Sequence, residues 1–265
     1  MAIILSIMLV LIAGCSTPYQ KDSLSPFSSS LSDLAPADVL SLITERNKNL
    51  KVLKGEGVFS LRYQGREFKG KGIVWARRDS FRLDIFDPFF QPVYAITYNE
   101  GIVSVLSLKE KRVYRGVGLY NPLLPLPVDP SLFISFLFGE LPSALFMEDA
   151  FSSGGVTKGG MDRGIYLLEV LSKDGLRYKI WLQSGEKVMI EGKAYNDRGE
   201  LSASIKVERI DNINGISFPR RITAEYGDGV VMSVAYRTIF LNEDIEDDAF
   251  RLPLSSGIEE VDGSF

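Results

Sequence analysis

Between residues 52 and 239 apolar and polar side chains alternate at period two in stretch after stretch, and this alternation narrows the possible folds more than any other property of the chain. Val52 to Tyr63 sets Phe59, Leu61 and Tyr63 on one face; Phe68 to Trp75 follows across a Gln64-Gly65 turn; Ser80 to Phe86 aligns Phe81, Leu83 and Ile85. Val93 to Tyr98, Ile102 to Leu108 and Arg112 to Arg115 continue the meander, with turns at Asn99-Glu100-Gly101 and Lys109-Glu110-Lys111. A second run predicts strands over Ile165 to Leu171, Tyr178 to Leu182, Val188 to Tyr195, Leu201 to Arg209, Arg220 to Tyr226 and Val230 to Ile239. The interruption between the runs is Pro-rich from Asn121 to Pro130. There Asp129-Pro130 opens a helix through Phe138 that Gly139 ends. A second short helix is expected over Leu141 to Phe151, a loop over Gly154 to Gly160, and an amphipathic helix over Ala37 to Leu50. Strands, helices, then strands predict one large antiparallel sheet covered on one side by helices, a single domain over residues 37–256. The acidic tail, residues 257–265, is expected to be loose.

Histidine is absent and Cys15 is the only cysteine. A conventional zinc centre and every Ser-His or Cys-His nucleophile are thereby excluded, and no disulfide can staple the fold. A net charge of −4 argues against a nucleic-acid partner. The acidic run Asn242 to Asp248 lacks the spaced ligands and turn glycine of a calcium loop, and Gly154 to Gly160 has the wrong order for a phosphate loop. Asp84 and Asp87 are paired carboxylates without an evident substrate. Neither catalysis nor a cofactor nor a metal is expected; an envelope hydrolase would need a polar cleft with a perturbed carboxylate.

The apolar run from Ile3 ends in Leu11-Ile12-Ala13-Gly14-Cys15, a junction that resembles a bacterial lipobox. About 12 helical residues span ~18 Å, short of the roughly 30 Å hydrocarbon core. The resemblance implies a signal peptide over residues 1–14, cleavage before Cys15, and acylation of its thiol and amine. Residues 15–36, rich in Ser and Pro, are expected to be a lipidated flexible tether. Ser16 in place of Asp directs such a protein to the outer membrane.

Four segments carry a further likeness. They are Gly55-Glu56-Gly57-Val58-Phe59, Asp79 to Pro88, the pair Leu126-Pro127-Val128 and Phe138-Gly139-Glu140-Leu141-Pro142, and Phe218-Pro219-Arg220-Arg221-Ile222. In order and spacing they resemble the LolA/LolB family of periplasmic lipoprotein carriers and outer-membrane lipoprotein receptors, with the receptor side the nearer match. The resemblance implies a mainly β fold, a curved antiparallel open β-barrel (half-barrel) of about eleven or twelve strands under a helical lid. It also implies a concave face that holds acyl chains of other lipoproteins and helps insert them into the outer membrane. The implied partners are acylated lipoproteins or lipids, a periplasmic carrier and the membrane itself, with the protein a monomer. Strands apolar on both faces, such as Tyr94-Ala95-Ile96, supply surplus apolar surface for a lipid cavity.

Leu132, Phe133, Phe136 and Leu137 of the central helix, with Phe81 and Leu83, are the candidate lid and cavity residues; an ordinary packed core is the competing reading. Phe89 and Phe90 sit in a Pro-bounded turn where polar residues belong, and Phe89 matches the exposed apolar position of the family's receptors. The two rings are either a membrane-inserting tip or core. The rival function is a non-catalytic envelope lipoprotein of the same fold that binds another lipid or a protein partner in envelope assembly.

Overall fold

The computed structural model describes residues 31, 34–117, 129–141, 156–162, 164–172, 175–184, 188–227, 229–252 and 256–262. Helix α1 (Pro36–Asn49) precedes a six-stranded meander: β1 (Leu53–Tyr63), β2 (Arg66–Ala76), β3 (Phe81–Phe86), β4 (Pro92–Asn99), β5 (Ile102–Ser107) and β6 (Arg112–Gly116). Helix α2 (Pro130–Phe138) separates it from β7 (Val156–Asp162), β8 (Ile165–Leu171), β9 (Arg177–Gln183), β10 (Val188–Tyr195), β11 (Leu201–Ile213), β12 (Ile216–Tyr226) and β13 (Val230–Leu241). A short strand β14 (Glu259–Asp262) follows.

All fourteen strands form one sheet in the order β14-β6-β5-β4-β3-β2-β1-β13-β12-β11-β10-β9-β8-β7. The two meanders are joined where β1 pairs antiparallel with β13, from Leu53 opposite Leu241 to Arg62 opposite Val231. The sheet does not close, and it is curved and mainly β as expected. The β1–β13 register shifts between Glu56 and Gly57. A Cβ on Gly57 would strike the carbonyl of Ala235, so the backbones approach there as only glycine permits.

The concave face carries one core, from Phe59, Val74, Phe81 and Ile96 on the first meander to Leu168, Ile180, Ile222 and Val234 on the second. Val39, Leu40 and Ile43 of α1 and Phe133, Phe136, Leu137 and Phe138 of α2 lie against it. Leu31 is 1% exposed, so packing begins ahead of residue 37, within the segment expected to be tether.

Three expectations change. Residues of the Gly154–Gly160 loop form β7, paired with β8. The tail expected to be loose contains β14, which pairs parallel with β6 and fixes Glu259 to Arg112 and Glu260 to Arg115. The outer apolar positions of β4 to β6, namely Ala95, Leu106 and Val113, are covered by Leu252 and Ile258. That part of the surplus apolar surface is used by the chain's own C-terminal segment. The helix expected over Leu141 to Phe151 lies, beyond Leu141, outside the described residues.

Candidate functional site

Antiparallel order places the β1–β2, β3–β4, β5–β6 and β12–β13 turns at one end of the sheet. Near this end a cavity of about 240 Å³ opens between α2 and the concave face. Phe59 and Leu61 of β1, Phe68 and Gly70 of β2, Leu83 and Ile85 of β3, Tyr94 and Ile96 of β4 and Met232 of β13 form its floor and walls. Phe133 and Phe136 of α2 form the roof, and Phe86, Asp87 and Pro88 the rim. Gly70 keeps the floor open: a Cβ there would come within 2.8 Å of Ile85 Cγ2.

Of the six residues expected to build lid and cavity, Leu83, Phe133 and Phe136 line this space. Phe81 is fully buried behind them, its ring centroid 4.8 Å from that of Phe133. Leu137 is fully buried and Leu132 partly so; both pack into the core beside the cavity. Their backbone carbonyls hold the helix down, since Tyr236 Oη donates to Leu137 O at 2.9 Å and Tyr226 Oη to Leu132 O at 3.4 Å. Burial pushes both phenols well above the usual range, so both remain donors.

Helix α2 is defined at both ends by local chemistry. Asp129 Oδ1 accepts the Ser131 N–H at 2.7 Å, and Pro130 supplies a fixed φ in the first turn. Gly139 adopts φ 68°, with its N–H on Phe136 O, and a Cβ there would lie 2.7 Å from Pro219.

The next residue, Glu140, is only 6% exposed. Arg78, from the β2–β3 turn, grips its carboxylate through both Nη atoms at 2.5 and 3.0 Å, and also donates to Asn47 O of α1. The same guanidinium lies 4.3 Å from the Phe138 ring centroid. Arg46 of α1 is close enough to act on Glu140 electrostatically and is itself bonded to Ser217 O at 2.8 Å. Burial raises the Glu140 pKa, and the two arginines pull it back. This latch lies at the end of the sheet away from the cavity mouth and ties α2, α1 and the β2–β3 turn together. The sequence reading missed it; its one visible sign is a lone carboxylate in the apolar run Leu137 to Leu141.

Phe89 and Phe90 are 83% and 62% exposed. Their loop is rigidly organised, because Asp87 Oδ1 accepts the N–H groups of Phe89 at 2.8 Å and Gln91 at 2.9 Å. Phe90 takes φ 62°, and Lys71 Nζ stands 4.0 Å from its ring centroid. Asp87 is thus a loop organiser, and Asp84 is bound to Arg82 through both carboxylate oxygens. In the acidic run, Asp247 pairs with Arg77, Asp248 pairs with Arg251, and the Asn242 side chain ties the link before β1, at Lys51 and Val52, to the end of α1 at Asn49. A polar hollow of about 310 Å³ on the convex face, beside Thr97, Ser104 and Arg115, gathers none of the expected site residues. No helix among the described residues is long and apolar enough to cross a membrane. Cys15 lies outside the described residues.

No family model matches the chain, and no curated protein does. Solved structures do. A domain described as an outer membrane lipoprotein-sorting protein domain from Vibrio parahaemolyticus superposes with a TM-score of 0.56 at 11% identity, over 82% of this chain and 97% of that one. A LolA superfamily protein from Nitrosomonas europaea gives 0.54 at 16% identity, covering 83% and 98%. A DUF1329 family protein from Desulfovibrio piger gives 0.52 at 15%, covering 84% and 98%. At such identities the likeness establishes architecture: the chain has the curved open-sheet fold of the LolA superfamily structures.

Proposed function

We propose that this protein is an outer-membrane lipoprotein, held by acylated Cys15, that takes acyl chains of other lipoproteins under α2 and assists their reception or insertion into the membrane. The observation that carries this reading is the apolar cavity beneath Phe133 and Phe136, which opens beside the exposed Phe89–Phe90 loop. The lipoprotein-sorting domain from Vibrio, which shares the fold, supports it. Burial of acyl chain is worth ~0.8 kcal/mol per methylene, on the order of 10 kcal/mol for a long chain. Exchange with a carrier of similar cavity therefore runs near equilibrium and needs no nucleotide. The cavity falls just short of the roughly 300–1,000 Å³ of small-molecule pockets. It takes the leading part of a chain as it stands, and deeper entry requires α2 to lift.

The chain from Ser16 onward, which keeps the whole described core, tests the cavity. A fluorescent fatty acyl probe should bind saturably with a negative heat-capacity change. Gly70→Leu, filling the floor, should exclude about two methylenes and weaken binding more than tenfold, by roughly 1.6 kcal/mol. Absence of saturable binding to folded protein refutes an acyl site. Intact mass of the membrane-extracted protein reports the anchor separately, since an unmodified Cys15 refutes lipidation.

A further inference from the structure

At the cavity end of the first meander, six exposed cations surround the Phe89–Phe90 loop: Arg62, Arg66, Lys69, Lys71, Lys109 and Lys111. The β1–β2 hairpin brings Arg62 and Arg66 to this end, the outward face of β2 presents Lys69 and Lys71, and the β5–β6 turn carries Lys109 and Lys111. None of the six forms an ion pair with a described residue. Elsewhere on the same half of the sheet, Arg77, Arg78, Arg82, Arg112 and Arg115 are each matched to a carboxylate. The carboxylates among the rim cations are Glu67, Glu110 and Asp87, and Asp87 is occupied by its loop. At the same end of the second meander the charges are mixed, with Arg177 and Arg198 among Asp197, Glu200 and Glu225. A chain of net charge −4 has therefore concentrated unmatched positive charge around the two most exposed aromatics among the described residues.

We propose that this rim docks on an anionic phospholipid surface, the cations meeting headgroup phosphates while Phe89 enters the interface. The inference rests on the acyl-transfer reading and deepens it by naming the charge class of the target membrane. Two exposed rings flanked by Lys and Arg fit a bilayer interface, which takes apolar and cationic groups side by side, better than an acidic protein. Lys71 over the Phe90 ring binds the polar and apolar halves of the patch into one unit. The exposed acidic run Glu243, Asp244 and Glu246 follows β13 at the other end of the sheet, so an anionic surface repels that end and turns the cavity mouth toward the membrane.

The chain from Ser16 onward, free of its anchor, is titrated with vesicles of phosphatidylcholine alone and of phosphatidylcholine mixed with phosphatidylglycerol. Binding should strongly favour the mixed vesicles and fall as salt rises, since the contacts are exposed. Arg66→Gln with Lys111→Gln should weaken it about 30-fold, at roughly fivefold per cation. Phe89→Ala should weaken binding to both vesicle types while keeping the preference. Equal binding to the two vesicle types, or binding insensitive to salt, overturns the proposal. So does a double variant that retains full vesicle binding yet fails to accept cargo from a carrier, which would assign the cations to a protein. Acyl-probe binding on the same samples keeps the two readings apart: a protein that prefers anionic vesicles but binds no acyl chain loses the transfer role and keeps the docking surface.

Discussion

Glu140 shows how one side chain can govern the seat of a helix. It follows Gly139 directly, so whatever holds its carboxylate also holds the C-terminal end of α2. Arg78 supplies that hold, with both oxygens engaged. Removing one partner of a buried pair strands the other, which costs more than the pair contributes. Arg78→Ala should therefore destabilise the fold toward the lower end of about 3–5 kcal/mol, since Arg78 is 34% exposed. The loss should depend on pH with a definite sign. A carboxyl whose folded pKa is raised adds stability below its unfolded pKa and loses it as pH rises through the folded value. Burial already raises Glu140, and loss of Arg78 raises it further. The deficit of the variant against the parent should be greatest at high pH and shrink as pH falls through the raised folded values toward the ordinary carboxylate range. Adding Glu140→Gln should flatten it. Urea unfolding of the parent and both variants over a pH series measures this, and a pH-independent deficit contradicts it.

Elements differ in how they are stabilised, and the contrast shows at the sheet's edge. The β14 strand is four residues, Glu-Glu-Val-Asp, attached through exposed ion pairs to β6, with Ile258 just before it on the outer apolar cluster. Ending the chain at Leu252 should lower the melting temperature only modestly but leave the β6 edge bare. Bare edges pair with one another, so sedimentation should show concentration-dependent association absent from the full chain. An unchanged monomer would mean that β14 is not what guards that edge. The same strand explains which elements the sequence announced. The Phe81, Leu83 and Ile85 alternation, like that of Phe59 and Leu61, marks strands that bury their own apolar face, and both appear where expected. The helix from Asp129-Pro130 to Gly139 was legible because its cap, its first turn and its left-handed exit are local chemistry. Strands β7 and β14 were not. Gly159, Gly160 and Glu259, Glu260 carry no apolar alternation, and these strands exist because a distant strand offers its backbone. Half of the cavity set was legible for a related reason. Period two tells which face a residue takes, so Leu83 was found, but it cannot tell a cavity wall from the packed layer in which Phe81 lies. The glycine at 70, whose missing side chain makes the space, left no apolar signal.

In the whole molecule the two ends of the sheet do different work. Arg78 and Glu140 fasten α2 at one end, while the cavity mouth, the rim cations and the Phe89–Phe90 loop gather at the other. This division follows from the meander, which returns alternate turns to the same end. On the proposed reading, a change at the tip should abolish delivery without disturbing the fold. Phe89 is 83% exposed and its loop is held by Asp87 through the backbone, so Phe89→Glu breaks none of the contacts that shape the turn. Melting temperature and acyl-probe binding should match the parent. Burying a Phe ring is worth about 1.5–3 kcal/mol, so its replacement should slow insertion of bound lipoprotein into liposomes by at least tenfold. The new carboxylate should slow it further on anionic membranes by repulsion. A transfer assay run beside thermal unfolding separates the outcomes. Normal melting with normal transfer removes the tip from the delivery step, whereas normal melting with lost transfer places the final act of delivery at a side chain that contributes little to the stability of the fold.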